Sequence, residues 1–310
     1  SSASEDRPAI GPWSARAGTS LITMYETVIP VPGTSGLQAK LHHADEPRAL
    51  MVLVHGFGEH SGRYARTIRF LTDRGIAVAT YDLRGHGTAP GPRFKVAMET
   101  HIEDNLAVRD AVAEWSRSEE GAGADALPRL LMGHSMGGQV AGESALRRPW
   151  DLKGLILSSP GLAVGEGTPA ALKAVAPVVA RLLPFLPVEK LDANDISRVP
   201  EYVEDYCSDP LVHQSGVPAL TAGTMLAGGA RLIERSRSLR LPTLILNGSA
   251  DTITSPTGSR RFAQVAGTDH DPRPEITYRE IEGGLHELFN DLCADEAYAA
   301  LGEWLDARLG

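Results

Sequence analysis

The feature that most constrains this chain is a set of short, wholly apolar runs separated by segments of helical spacing. Leu50-Met51-Val52-Leu53-Val54, Leu130-Leu131-Met132, Leu155-Ile156-Leu157 and Leu244-Ile245-Leu246 contain no polar residue. A strand with one wet face alternates in polarity, whereas a strand without a polar side must be covered on both faces. That condition is met in a parallel sheet held between two helical layers. Helical spacing runs over Ser61 to Arg74, His101 to Ser118, Met136 to Arg147, about Ser259 to Ala266 and about Asp295 to Leu309. Ile76 to Tyr81 and Ile276 to Ile281 read as further strands. Ile22 to Val31 and Leu37 to His42 read as a leading pair around a Pro-Gly turn. The expected class is α/β, a mostly parallel central sheet with helices on both faces.

The rhythm stops from about Pro160 to Leu239, where Pro-punctuated helical segments contain no convincing strand. An α-helical insertion after one strand is the simplest reading, placed as a cap over the carboxyl edge of the sheet. The expected organisation is a loose N-terminal arm at 1–19, a first core part at 20–159, a helical cap at 160–239 and a second core part at 240–310.

The formal net charge of −9 argues against a general nucleic-acid binder, because no phosphate-neutralising stripe is available. Two cysteines, Cys207 and Cys293, make neither a disulfide framework nor a metal site, and two reduced thiols are expected. No metal or organic cofactor is called for. No apolar run is long enough to span a bilayer; Ala170 to Val188 comes nearest but contains Lys173, Arg181 and three prolines. The expected location is cytoplasmic or peripheral to a membrane, with secretion left open because the chain begins at Ser1. Oligomeric state is left open too.

Gly133-His134-Ser135-Met136-Gly137 fits G-x-S-x-G between a buried strand and a helix. That strand–turn–helix context strains the turn and exposes the serine hydroxyl, so Ser135 is the candidate nucleophile. A serine needs a base, and the base needs an orienting acid. In such a sheet these follow in the order acid, then histidine, each just past a strand's carboxyl end. Asp251 follows Leu244-Ile245-Leu246, ahead of the rivals Asp269 and Asp271, and His286 follows Ile276 to Ile281. His270 lies at the wrong edge; His42, His43 and His101 are expected on the surface, and His134 is expected to pack beside the nucleophile. An oxyanion needs preorganised donors. The glycines of Val54-His55-Gly56-Phe57-Gly58 free the backbone to supply them, from the N–H groups of Phe57 and Met136.

Five segments together resemble the monoacylglycerol lipases of the α/β-hydrolase superfamily. They are His55-Gly56-Phe57-Gly58-Glu59-His60-Ser61-Gly62-Arg63-Tyr64, Asp82 to Gly87, Gly133 to Gly138, Tyr206 to His213 and Leu285 to Asn290. The first is the most specific, and the likeness covers nearly the whole chain from Ile22. The resemblance implies the α/β-hydrolase fold with Ser135, Asp251 and His286 as triad and Phe57 and Met136 as oxyanion donors. It also implies that Glu59, Arg63 and Tyr206 meet the polar end of a glycerol. Without the resemblance, Glu59 and Arg63 read equally as a solvated i, i+4 pair, and Asp82 and Arg84 as loop-holding residues. One departure is Thr88-Ala89-Pro90-Gly91-Pro92, where the family more often carries a small polar residue and glycines.

The expected activity is cleavage of monoacylglycerols to glycerol and fatty acid through an acyl-enzyme. A lysophospholipase or broad short-chain carboxylesterase needs the same triad. A non-catalytic lipid-binding protein of this fold usually lacks part of it. The expected partner is a small lipid ester. Branched apolar residues in Ala170 to Val188, among them Leu183 and Leu186, also admit transient contact with a membrane surface.

Overall fold

The computed structural model describes residues 26–121, 123–163, 181–189 and 191–310. The expected arm at 1–19 and the apolar residues Leu172 to Val179 lie outside them.

Strands β1 (Glu26–Pro30), β2 (Gln38–His42), β3 (Ala49–Val54), β4 (Ile76–Tyr81), β5 (Arg129–His134) and β6 (Gly154–Ser158) precede the inserted segment. That segment carries the short strands β7 (Pro187–Glu189) and β8 (Val217–Pro218), and β9 (Thr243–Gly248) and β10 (Ile276–Ile281) follow it. The eight long strands form one sheet in the order β1-β2-β4-β3-β5-β6-β9-β10. β1, β2 and β4 are joined antiparallel, and every other neighbour pair is parallel. This is the mostly parallel sheet that the apolar runs required.

Among the described residues, the helices with both ends defined are α1 (Ala65–Thr72), α2 (Met98–Trp115), α3 (Met136–Arg147), α4 (Pro200–Ser208), α5 (Ala219–Arg235), α6 (Pro256–Val265) and α7 (Ala294–Leu309). Strand β3 shows why no polar side was permitted. Leu50, Val52 and Val54 pack into one core with Ile102 of α2, Val140 of α3 and Phe262 of α6. Ala49, Met51 and Leu53 face the opposite core, with Ile68 of α1 and Leu301 and Leu305 of α7. Period-two alternation therefore survives, but it chooses between two cores rather than between core and water.

Three expectations are corrected. His101 is fully buried and His42 nearly so, not on the surface. His101 sits in the first turn of α2 against the His86 ring, 5.7 Å away, and burial pushes its pKa down to about 3. It is therefore buried as a neutral ring, at far lower cost than a charge. His42 bonds Thr80 at 3.1 Å and faces Glu26 at 3.0 Å. The third correction lies in the inserted segment, which does hold strand: β7 and β8 pair antiparallel through Pro187 and Pro218. A two-residue strand leaves no periodic trace in sequence.

The inserted segment is not uniform. Leu232 of α5, with Leu239, joins the first core. Leu182, Leu183, Phe185 and Leu186 are instead 46–71 % exposed. Among the described residues no helix is long and apolar enough to cross a membrane.

Candidate active site

Ser135 is the single residue between β5 and α3, with φ 53° and ψ −121°. Such a conformation is strained for a residue bearing a Cβ, and it persists because both flanks are anchored. The Ser135 N–H donates to Ser158 O at 3.0 Å, and its carbonyl accepts from Gly161 N at 2.8 Å. The anchors hold the elbow to the end of β6. The start of α3 presses against the loop after β3: a Cβ on Gly137 would stand 2.3 Å from His55 O. Only glycine permits that approach. A Cβ on Gly56 would stand 3.2 Å from Ser135 Cβ, so the two loops meet at the serine.

Phe57 and Met136 are therefore neighbours of Ser135, and their N–H groups take part in no backbone hydrogen bond among the described residues. Met136 opens α3, where the first N–H groups have no helical acceptor and carry the positive end of the helix dipole. The loop bearing Phe57 is braced from within. Leu83 N–H donates to His55 Nε2 at 2.8 Å, so Nε2 must hold the lone pair and Nδ1 the proton. Nδ1–H then donates to Gly56 O at 2.7 Å.

Asp251 and His286 come together across adjacent strand ends. His286 Nδ1 lies 2.9 Å from Asp251 Oδ2, and both side chains are buried. Asp251 Oδ1 accepts from the N–H groups of Ile253 and Thr254, each at 2.9 Å. Its Oδ2 also accepts from Thr254 Oγ1 at 2.8 Å and Asn247 Nδ2 at 3.3 Å. Burial works against both charges here, but each group is moved the other way by its partner. The charge of His286 and its hydrogen bond, with those of Thr254, hold the Asp251 carboxyl below its ordinary value. The Asp251 carboxylate and its bond, helped by Glu287 and Glu59, raise the His286 pKa. An ionised Asp251 can only accept, which assigns the proton to Nδ1 and leaves Nε2 as the free base. The His134 ring lies 4.7 Å from that of His286; burial and the neighbouring ring push its pKa down to about 4. The hydroxyl of Ser135 has no hydrogen-bond partner among the described residues, and the serine is 7 % exposed.

Glu59, Arg63 and Tyr206 are brought to the same edge, with most of their polar atoms already engaged. Glu59 is 4 % exposed, so the pair with Arg63 is not a solvated one. Its Oε1 accepts from Gly56 N and from Tyr64 Oη, each at 2.6 Å, and its Oε2 from Arg63 Nη1 at 2.9 Å. Burial opposes the carboxylate, but the Arg63 charge, His134, His55 and the Tyr64 hydroxyl together outweigh it and hold the pKa down at about 2. Arg63 also makes a two-pronged pair with Glu287 at 2.5 and 3.0 Å, and the Tyr206 ring lies 4.8 Å from its guanidinium carbon. Burial and the Glu59 charge push the Tyr206 phenol up to about 12.

Sequence reasoning did not assign Glu287, Thr254, Asn247 or Asp209. Glu287 adjoins His286, but nothing in a sequence pairs it with a residue 224 positions away. Asp209 bonds His60 Nε2 at 2.8 Å, and His213 N–H donates to Gly58 O at 2.7 Å. The inserted segment is thereby fastened to the loop that carries Phe57. Asp82 and Arg84 hold their loop as expected: Asp82 accepts from Ser61 and Thr88, and Arg84 pairs with Asp104. The Thr88 to Pro92 departure is closed locally, with Gly85 N donating to Pro90 O at 2.9 Å. Cys207 and Cys293 are both free, and among the described residues no cluster of His, Cys, Asp and Glu is arranged to hold a metal.

A family model described as serine aminopeptidase, S33 (Hydrolase_4), matches residues 45–293. The monoacylglycerol lipase of Mycolicibacterium smegmatis is 33 % identical over 249 residues, spanning 79 % of this chain and 84 % of its own length. The chain belongs to the monoacylglycerol lipase family. The human monoglyceride lipase is 30 % identical over 265 residues, covering 84 % of each chain. The solved monoacylglycerol lipase of Paleococcus ferrophilus superposes with a TM-score of 0.74 at 32 % identity, over 88 % of this chain and 99 % of that one. A soluble variant of the yeast monoglyceride lipase, at 21 % identity, agrees in fold with a TM-score of 0.79 over 96 % and 99 % of the two chains. As a member of this family the protein has the α/β-hydrolase fold and is a carboxylic ester hydrolase acting on lipid esters.

Proposed function

We propose that this protein cleaves monoacylglycerols to glycerol and fatty acid, with Ser135 as nucleophile, His286 as general base and Asp251 as its orienting acid. The observation that carries the reading is the strained elbow at Ser135, whose preceding residue His134 packs 4.7 Å from the ring of the buried His286–Asp251 pair. In this reading His286 Nε2 takes the Ser135 proton as Oγ attacks the ester carbonyl. The Phe57 and Met136 N–H groups hold the oxyanion, and collapse of the tetrahedral intermediate releases glycerol, which takes its proton from His286. Water then attacks the acyl-enzyme through the same histidine. Asp251 stays ionised throughout, fixing the tautomer and stabilising the imidazolium.

The inserted segment 160–239 acts as the cap, and its exposed Leu182 to Leu186 stretch meets the lipid surface from which substrate is drawn. Glu59, Arg63 and Tyr206 shape the polar end of the site; with their charged atoms largely engaged, they frame a glycerol more than they grip it. The test is a panel of monoacylglycerols, diacylglycerols, lysophospholipids and p-nitrophenyl esters, with Ser135→Ala as the blank. Monoacylglycerols should lead, and Ser135→Ala should remain folded while losing turnover by about 10⁴-fold or more. Retained activity would move the nucleophile elsewhere, and a lead for lysophospholipids would replace the substrate class.

A further inference from the structure

A continuous run of contacts links the proposed base to the proposed oxyanion loop without passing through the triad. Glu287 follows His286 directly; its N–H donates to Ile196 O at 2.8 Å, and its Oε2 accepts from Asn290 Nδ2 at 3.0 Å. Its two oxygens take the Nη1 and Nη2 groups of Arg63. Arg63 Nη1 also reaches Glu59, whose Oε1 accepts the Gly56 N–H, one residue before Phe57. Glu59, Arg63 and Glu287 are all buried or nearly so.

Charge balance alone does not call for Glu287, because Arg63 already has a carboxylate in Glu59. The second carboxylate leaves the buried cluster with an excess negative charge beside the His286 ring. The titratable groups acting on that ring are Asp251 from the β9 loop, His134 from β5, Glu59 from the loop after β3 and Glu287 itself, and around Glu59 stand Arg63, Tyr64 and Tyr206. Three of these are carboxylates and one is a guanidinium.

We propose that Glu287 is a positioning residue: through Arg63 it sets the His286 loop against the oxyanion loop, and its charge favours the imidazolium formed when Ser135 gives up its proton. This rests on the triad reading above. As the ring takes the proton from Oγ, positive charge appears in a buried site, where a nearby carboxylate acts with little screening.

The test measures kcat and KM against pH on a monoacylglycerol, for wild type, Glu287→Gln and Glu287→Asp, alongside fluorophosphonate labelling of Ser135. Glu287→Gln should lower the plateau kcat by about tenfold, with KM within about twofold. It should also move the acid-side midpoint to lower pH by about half a unit, because a ring deprived of a nearby negative charge loses its proton more readily. Glu287→Asp keeps the charge on a shorter arm, so it should hold the wild-type midpoint while losing plateau rate. A midpoint unchanged in Glu287→Gln would overturn the proposal in favour of packing alone. Should Glu287→Gln not fold, Glu287→Asp decides, and a wild-type plateau there overturns the positioning role. Failure of wild-type Ser135 to label would sink the triad reading instead, and is thus distinguishable from failure of the Glu287 claim.

Discussion

Two regions of the molecule reverse the usual arrangement of a folded protein. At the sheet edge, Glu59, Arg63, Glu287, Asp251 and His286 are buried with their polar atoms closely matched. On the inserted segment, Leu182, Leu183, Phe185 and Leu186 stand in water. Charge normally lies outside and branched apolar side chains inside. The inversion is tolerable on the inner side because every buried carboxylate there has a donor, so desolvation is offset by short bonds. On the outer side the apolar side chains are left exposed among the described residues, which fits the proposed contact with a lipid surface. The first region is completed by folding, whereas the second is the one proposed to meet lipid.

The largest effect that would test the inner side is Asp251→Asn. It keeps the shape but loses the charge and the tautomer control, and should lower kcat by about 10³–10⁴-fold. The His286 pKa, now raised by Asp251, should fall, and the acid limb of the rate profile should move to lower pH. A limb at its wild-type position would mean that another residue is the base.

Next in size is Arg63→Ala, which leaves Glu59 and Glu287 facing each other without a cation. Denaturant unfolding should show a loss of about 3–5 kcal/mol, as for the breaking of a buried ion pair. The pair formed by Arg260 and Glu280 has equally good geometry, at 2.6 and 2.7 Å, but the Arg260 side chain is 46 % exposed. Arg260→Ala should therefore cost no more than about 1 kcal/mol. Equal losses from the two arginines would show that burial does not separate them. The pH dependence follows from the same pairing. Glu59 is held at about 2 against an ordinary 4.5, so its contribution is complete above pH 4.5 and is lost as pH falls toward 2. Arg63→Ala should flatten that acid limb of stability.

The smallest effect on folding should come from the outer side. A Leu183→Asp, Leu186→Asp double variant should unfold within about 0.5 kcal/mol of wild type, since both leucines are already exposed. Its sedimentation with liposomes should nevertheless drop several-fold. Binding as strong as wild type would remove the lipid-surface reading and leave the oily stretch unexplained.

What the sequence determined by itself was whatever is carried by local pattern. Apolar runs without a polar side demanded a parallel sheet covered on both faces, and β3 divides its side chains between two cores accordingly. The order of strand ends pointed to Asp251 and His286, because a residue just past a parallel strand must emerge at one edge, and the two meet at 2.9 Å. Local pattern failed where partners are distant or pieces too short. His101 looks like any polar residue at a helix start, and only packing against His86 shows it buried. The strands β7 and β8 are too brief to carry a period. Tertiary structure also decided what Glu59 and Arg63 do. Their i, i+4 spacing suits a solvated pair, but burial and the approach of Glu287 from the far end of the chain turn them into a buried ion-pair network. Spacing along a chain specifies which side a residue faces, but the dielectric around it, and hence the strength of its charges, is set by what folds on top.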